Sequence, residues 1–139
     1  MTAITCPLER SNPSSPCVVS SKMNRSVFQC KALWDTGASM SAVSKTVVER
    51  LGLVPIGTTQ RNTINGVVEC YVYVCDMDIG DIEIRNLRVH EFNSNDYGVL
   101  VGMDIINSGD FSITGEPDCR VFSFRVPSCG VIDYCKEGH

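Results

Sequence analysis

Lys31-Ala32-Leu33-Trp34-Asp35-Thr36-Gly37-Ala38-Ser39 is the stretch on which the fold turns. An apolar run climbs into an aspartate, and small or hydroxyl-bearing residues follow. A carboxylate at the end of a buried strand is costly, because burial disfavours its charged form unless donors or a shared proton compensate. The residues after Asp35 supply candidates for that compensation. Gly37 permits a sharp turn and offers a backbone N–H with no side chain in the way. Thr36 and Ser39 add short hydroxyls, and Ala38 leaves room for close approach.

A second stretch, Tyr97-Gly98-Val99-Leu100-Val101-Gly102-Met103-Asp104-Ile105-Ile106, repeats the theme of apolar strand, glycine turn and short helix. Together the two resemble the landmarks of the aspartic proteases. Leu33 to Ser39 resembles the Asp-Thr-Gly-Ala/Ser signature of the pepsin-like and retroviral-type enzymes, and the second stretch resembles the glycine-and-helix element that follows it. The order and spacing fit the single-domain, retropepsin-like branch, over residues 1–127, with 128–139 left as a C-terminal tail. The resemblance implies an all-β, mainly antiparallel, closed-barrel-like fold with one or two short helices. It implies peptide-bond hydrolysis with Asp35, Thr36 and Gly37 as the catalytic residues and no cofactor or metal. It also implies a flap, closing over an extended polypeptide substrate, for which Ile64, Asn65 and Gly66 are the candidates.

Counting carboxylates sets the expected assembly. The chemistry of that family needs two carboxylates about 3 Å apart sharing a proton, since like charges that close do not both ionise. The chain has one Asp-Thr-Gly. A symmetric homodimer, with Asp35 of each copy meeting on the two-fold axis, is therefore expected. The rival expectation is a catalytically weak dimerisation or peptide-binding module on the same fold, because the hairpin at Ile64-Asn65-Gly66 carries a single glycine.

Composition narrows the field. The 139 residues suit one domain with a modest core, and the formal net charge of −4 argues against a nucleic-acid partner. No apolar run is long enough to cross a membrane, and the first residues do not have the pattern of a signal peptide, so a cytoplasmic protein is expected. The eight cysteines then read as reduced, small apolar residues rather than a disulfide framework. Cys70 and Cys75 fall on opposite faces of one strand and should not pair. Cys119, Cys129, Cys135 and His139 have a spacing within the range of a small zinc-finger class. A strand predicted between Cys119 and Cys129 would hold those two apart, so a small zinc protein is the least favoured reading.

Along the chain, residues 2–8 read as an edge strand placed by the resemblance in a dimer-interface sheet, and 9–16 as a loop. Residues 17–23 and 26–33 read as strands joined at Asn24-Arg25. A helix is predicted over 41–51, with Ser44 able to cap it and Gly52 to stop it. Residues 57–69 are polar and turn at Asn65-Gly66, the strongest two-residue hairpin signal. Strands follow over 67–77 and 82–92 around Gly80-Asp81, with His90 expected at the surface on the face of Arg88. Residues 111–114 and 120–126 read as strands, and Phe122 and Phe124 on one face are expected in the dimer core.

Overall fold

The computed structural model describes residues 1–136. Ten strands and two short helices follow in the order β1 (Thr2–Pro7), β2 (Ser14–Ser20), β3 (Val27–Trp34), β4 (Ala42–Ser44), α1 (Lys45–Leu51), β5 (Gly57–Thr63), β6 (Gly66–Ile79), β7 (Ile82–Phe92), β8 (Val99–Val101), α2 (Met103–Ile106), β9 (Asp110–Thr114) and β10 (Val121–Val126). A single 3-10 turn lies beyond them at Tyr134–Lys136.

The larger sheet runs β2-β3-β8-β4-β7-β6-β5. A further pairing of β2 with β6, Val18 opposite Asp78 and Val19 opposite Met77, closes six of these strands into a ring. The expected closed, barrel-like β fold is therefore what the chain adopts. Most pairings are antiparallel, while β3–β8 and β4–β7 are parallel. Only β5 lies outside the ring. It pairs with the first half of β6, from Thr63 opposite Gly66 to Gly57 opposite Val72. The β5–β6 hairpin is thus an arm extending from a barrel stave.

The smaller sheet has the order β1-β10-β9. Its inner face carries Phe122 and Phe124, which are 0% and 1% exposed. They meet Trp34 at ring-centroid separations of 5.5 and 4.9 Å, and Phe111 stacks on the same indole at 5.9 Å. This corrects the expectation of a dimer core: the two phenylalanines fill the core of their own chain. β1 is the edge strand expected of residues 2–8 and pairs with β10, Thr2 opposite Val126 through Pro7 opposite Val121.

Three boundaries move for physical reasons. The helix predicted over 41–51 begins only at Lys45, because Ala42, Val43 and Ser44 are fully buried and paired to both β7 and β8. Such burial between two strands outweighs a local helical pattern. Ser44 still caps α1 by accepting from the Val47 N–H, and Gly52 ends it at φ +63°. β2 starts at Ser14 rather than 17 and includes Pro16, which is opposite Lys31 of β3 and beyond the stretch paired to β6. A proline is tolerated there because its missing N–H faces an unpaired side. In the β5–β6 hairpin the turn is centred one residue early, on Ile64-Asn65, and Gly66 follows it at φ +115°.

Asp110 of β9 ties the tail to this sheet. It accepts from the Ser128 hydroxyl at 2.6 Å, the Cys129 N–H at 2.8 Å and Arg125 Nε at 2.7 Å. Those three donors, the Ser128 hydroxyl foremost, lower its pKa from the ordinary 3.8 to about 2. The folded state holds the proton less tightly than the unfolded one, so this stabilisation is complete above 3.8 and is lost as pH falls towards 2. Thermal unfolding followed across that acid range should show the midpoint falling, with Asp110→Asn flattening that part of the profile.

Candidate active site

β3 delivers Asp35 to the surface beside the end of β8. The Asp35 N–H donates to the Val101 carbonyl at 2.8 Å, and the Ala38 N–H closes the turn onto the Asp35 carbonyl at 3.2 Å. The carboxylate itself accepts from the Gly37 N–H at 2.8 Å. A side chain at Gly37 would place its Cβ 3.1 Å from that carboxylate oxygen, so glycine keeps the approach open. Asp35 is half-buried rather than enclosed, and Thr36 and Gly37 are exposed. Among the described residues, neither Thr36 nor Ser39 donates to the carboxylate, contrary to the role expected of their hydroxyls.

The turn is held from behind by the second landmark. A Cβ on Gly102 would lie 2.9 Å from both the Ala38 carbonyl oxygen and the Met40 carbonyl carbon, which are backbone atoms with little freedom to yield. This close passage is the reason for glycine, since Gly102 has an ordinary extended φ of −98°. The Met103 N–H donates to the Ala38 carbonyl at 2.7 Å. Asp104 accepts from the Ser41 N–H at 3.0 Å and the Ser41 hydroxyl at 2.7 Å, and the Gly102 N–H donates to Ser41 Oγ at 3.0 Å. Ser41 and Asp104 thus clamp the chain on either side of the Asp35 turn. Sequence reasoning passed over both, although Asp104 lies within the second landmark.

A cleft of about 770 Å³ opens where the turn ends, lined by Gly37 to Met40 on one side and Thr59 to Asn62 of β5 on the other. His90, Phe92 and Leu100 also line it. His90 is therefore not the surface residue expected: it is 8% exposed, opposite Val72 of β6 and Ala42 of β4. Its position on a strand paired on both sides explains the burial. The residues predicted for a flap tip, Ile64, Asn65 and Gly66, sit at the end of the arm, with Ile64 fully exposed. They do not line the cleft; the strand leading to them does.

Among the described residues, no group of three or more His, Cys, Asp or Glu is arranged to hold a metal. Cys119, Cys129 and Cys135 are exposed, and His139 of the zinc-like spacing lies outside the described residues. No helix among them is long and apolar enough to cross a membrane.

A six-stranded ring with an arm over an Asp-Thr-Gly turn defines a retropepsin-like domain. Residues 19–108 match the family model described as "gag-polyprotein putative aspartyl protease", and the chain belongs to that family. Among solved structures it is similar to a retropepsin-like aspartic protease from Rickettsia conorii, at 22% identity and a TM-score of 0.59, covering 88% of this chain and 91% of that one. It is also similar to EIAV protease complexed with the inhibitor HBY-793, at 19% identity and a TM-score of 0.54, covering 69% of this chain and 86% of that one. At these identities the likeness concerns the fold. No curated protein matches the chain.

Proposed function

We propose that the chain is one subunit of a homodimeric aspartic endopeptidase whose active centre is completed by Asp35 of a second copy. The observation that carries this reading is a single Asp-Thr-Gly carboxylate, held at the surface by one backbone N–H and backed by a rigid clamp. In the dimer the two carboxyls share a proton and hold a water between them. The ionised one acts as general base on the water, and the protonated one donates to the scissile carbonyl oxygen as charge develops there. No covalent intermediate forms. Thr36 of each copy, exposed beside Asp35, fixes the pair across the two-fold, and Gly37 meets the substrate through its backbone. An extended polypeptide lies in the cleft between the turn and β5, bound by main-chain hydrogen bonds, with Ile64, Asn65 and Gly66 closing over it as the flap. A cytoplasmic setting belongs to the same proposal, supported by cysteines that serve as buried apolar residues, such as Cys17 and Cys75.

The test pairs sedimentation velocity with peptidase activity over a range of protein concentrations, with and without a pepstatin-type inhibitor. Activity per chain should rise with the dimer fraction and vanish with inhibitor. Activity proportional to a strictly monomeric species would remove the shared-site mechanism. A dimer that binds peptide without cutting it would favour the catalytically weak binding module instead.

A further inference from the structure

The cleft contains an unanswered donor. On β5, Thr59, Arg61 and Thr63 share the more buried face, and Arg61 lines the cleft with the Asp35 turn opposite. Its Nε is buried and has no hydrogen-bond partner among the described residues. Nor does its guanidinium form an ion pair there, whereas Arg85 and Arg125 are matched to Asp78 and Asp110 at 2.9 and 2.7 Å. A desolvated N–H of a permanent cation is costly to leave unmet. His90 also lines the cleft, with Nδ1 3.3 Å from the Glu91 carbonyl oxygen. None of the residues lining this cleft is acidic.

An adjoining recess shares Met40 and Thr59 with the cleft. It holds Arg85, Arg88 and Asp104. Arg85 is paired with Asp78 and Glu83, while Asp104 is hydrogen-bonded to the neutral Ser41 and keeps its negative charge there. Arg88, on the same face of β7 as His90, makes no ion pair among the described residues. In a chain with a net charge of −4, Arg61 in the cleft and Arg88 in the recess are thus guanidinium groups with no ion pair among the described residues.

We infer that this groove selects a peptide strand carrying an acidic side chain, whose carboxylate is received by Arg61. The inference rests on the peptide-binding reading of the cleft and adds a substrate class to it. A carboxylate can take two parallel N–H donors from Nε and the neighbouring guanidinium nitrogen, which a carboxamide or an aliphatic side chain cannot match in strength. Arg61 is a specificity-determining residue in this reading, with no part in the bond-breaking step.

The test uses a degenerate peptide library in which one position at a time is fixed as Glu, Gln or Leu. Cleavage is read with the wild-type protein, and binding is read by fluorescence anisotropy with Asp35→Asn, so that hydrolysis and recognition are scored apart. At one position Glu should be preferred over Gln and Leu by about tenfold to a hundredfold, the range for a hydrogen bond to a charged group. Arg61→Gln should erase that preference, Arg61→Lys should retain part of it, and Arg61→Glu should turn it towards Lys. If the wild type cuts nothing while Asp35→Asn binds the Glu library in an Arg61-dependent way, the acidic selection stands and the protease reading falls. Indifference to the Glu, Gln and Leu exchange at every position, in both cleavage and binding, overturns the inference and leaves Arg61 to a substrate backbone carbonyl. Unaltered circular dichroism of the Arg61 variants separates lost recognition from lost folding.

Discussion

Asp35→Asn is expected to remove peptide hydrolysis while leaving the folded chain intact. The carboxylate accepts one hydrogen bond, from the Gly37 N–H, and a carboxamide oxygen can accept the same bond. The Asp35 backbone, tied to Val101, is unaffected. Stability should therefore change little, since half-exposed polar substitutions of similar shape usually do. The chemistry should not survive. An amide can neither take a proton from water nor share one with a partner carboxyl, and removal of an essential group of this kind lowers turnover by on the order of 10⁴-fold or more. Single-turnover cleavage together with a thermal unfolding profile checks both halves. Cleavage retained within tenfold or so of wild type would exclude Asp35 as the acid–base centre.

The largest effect on stability is expected at the residue before it. Trp34 is 3% exposed and lies among Phe111, Phe122 and Phe124, with Nε1 donating to Ser15 Oγ at 3.0 Å. It joins the two sheets: β3 carries it, and β9 and β10 cover it. Trp34→Ala leaves a cavity between them and strands the Ser15 hydroxyl, for an expected loss of about 3–5 kcal/mol. That is a large share of the roughly 5–15 kcal/mol that holds a domain of this size together. Equilibrium denaturation should show the midpoint collapse, and Trp34→Phe, which keeps an aromatic ring in place, should lose much less. Equal tolerance of alanine and phenylalanine would mean that the aromatic cluster is not what joins the sheets.

The catalytic turn, the cap and end of α1, and the β6–β7 turn were legible because their signals are local. The apolar run into Asp35-Thr36-Gly37, the Ser44 cap, Gly52, and the turn at Gly80-Asp81 each force the backbone where they stand. The features that sequence reading missed depend on partners distant in the chain. Ala42 to Ser44 carry a helical pattern and become a strand only because β7 and β8 flank them. Phe122 and Phe124 clearly share a face, but which surface that face covers depends on Trp34, far earlier in the chain. His90 was misplaced for the same reason, its neighbours Val72 and Ala42 being remote. For Arg61, the alternation Thr59, Arg61, Thr63 within a polar run was the available signal. It marks one face of a strand, but not that a cleft lies under it.

The small sheet made from both ends of one chain has a bearing on how such a protein could be governed. Because Trp34 is already roofed by β9 and β10 of its own polypeptide, the aromatic core of a solitary copy is covered without a partner. Under the proposed shared centre, separation of a pair disarms the molecule without uncovering that core. Heat acts on the individual, dilution acts on the couple, and a cell could hold the two conditions apart by expression level alone.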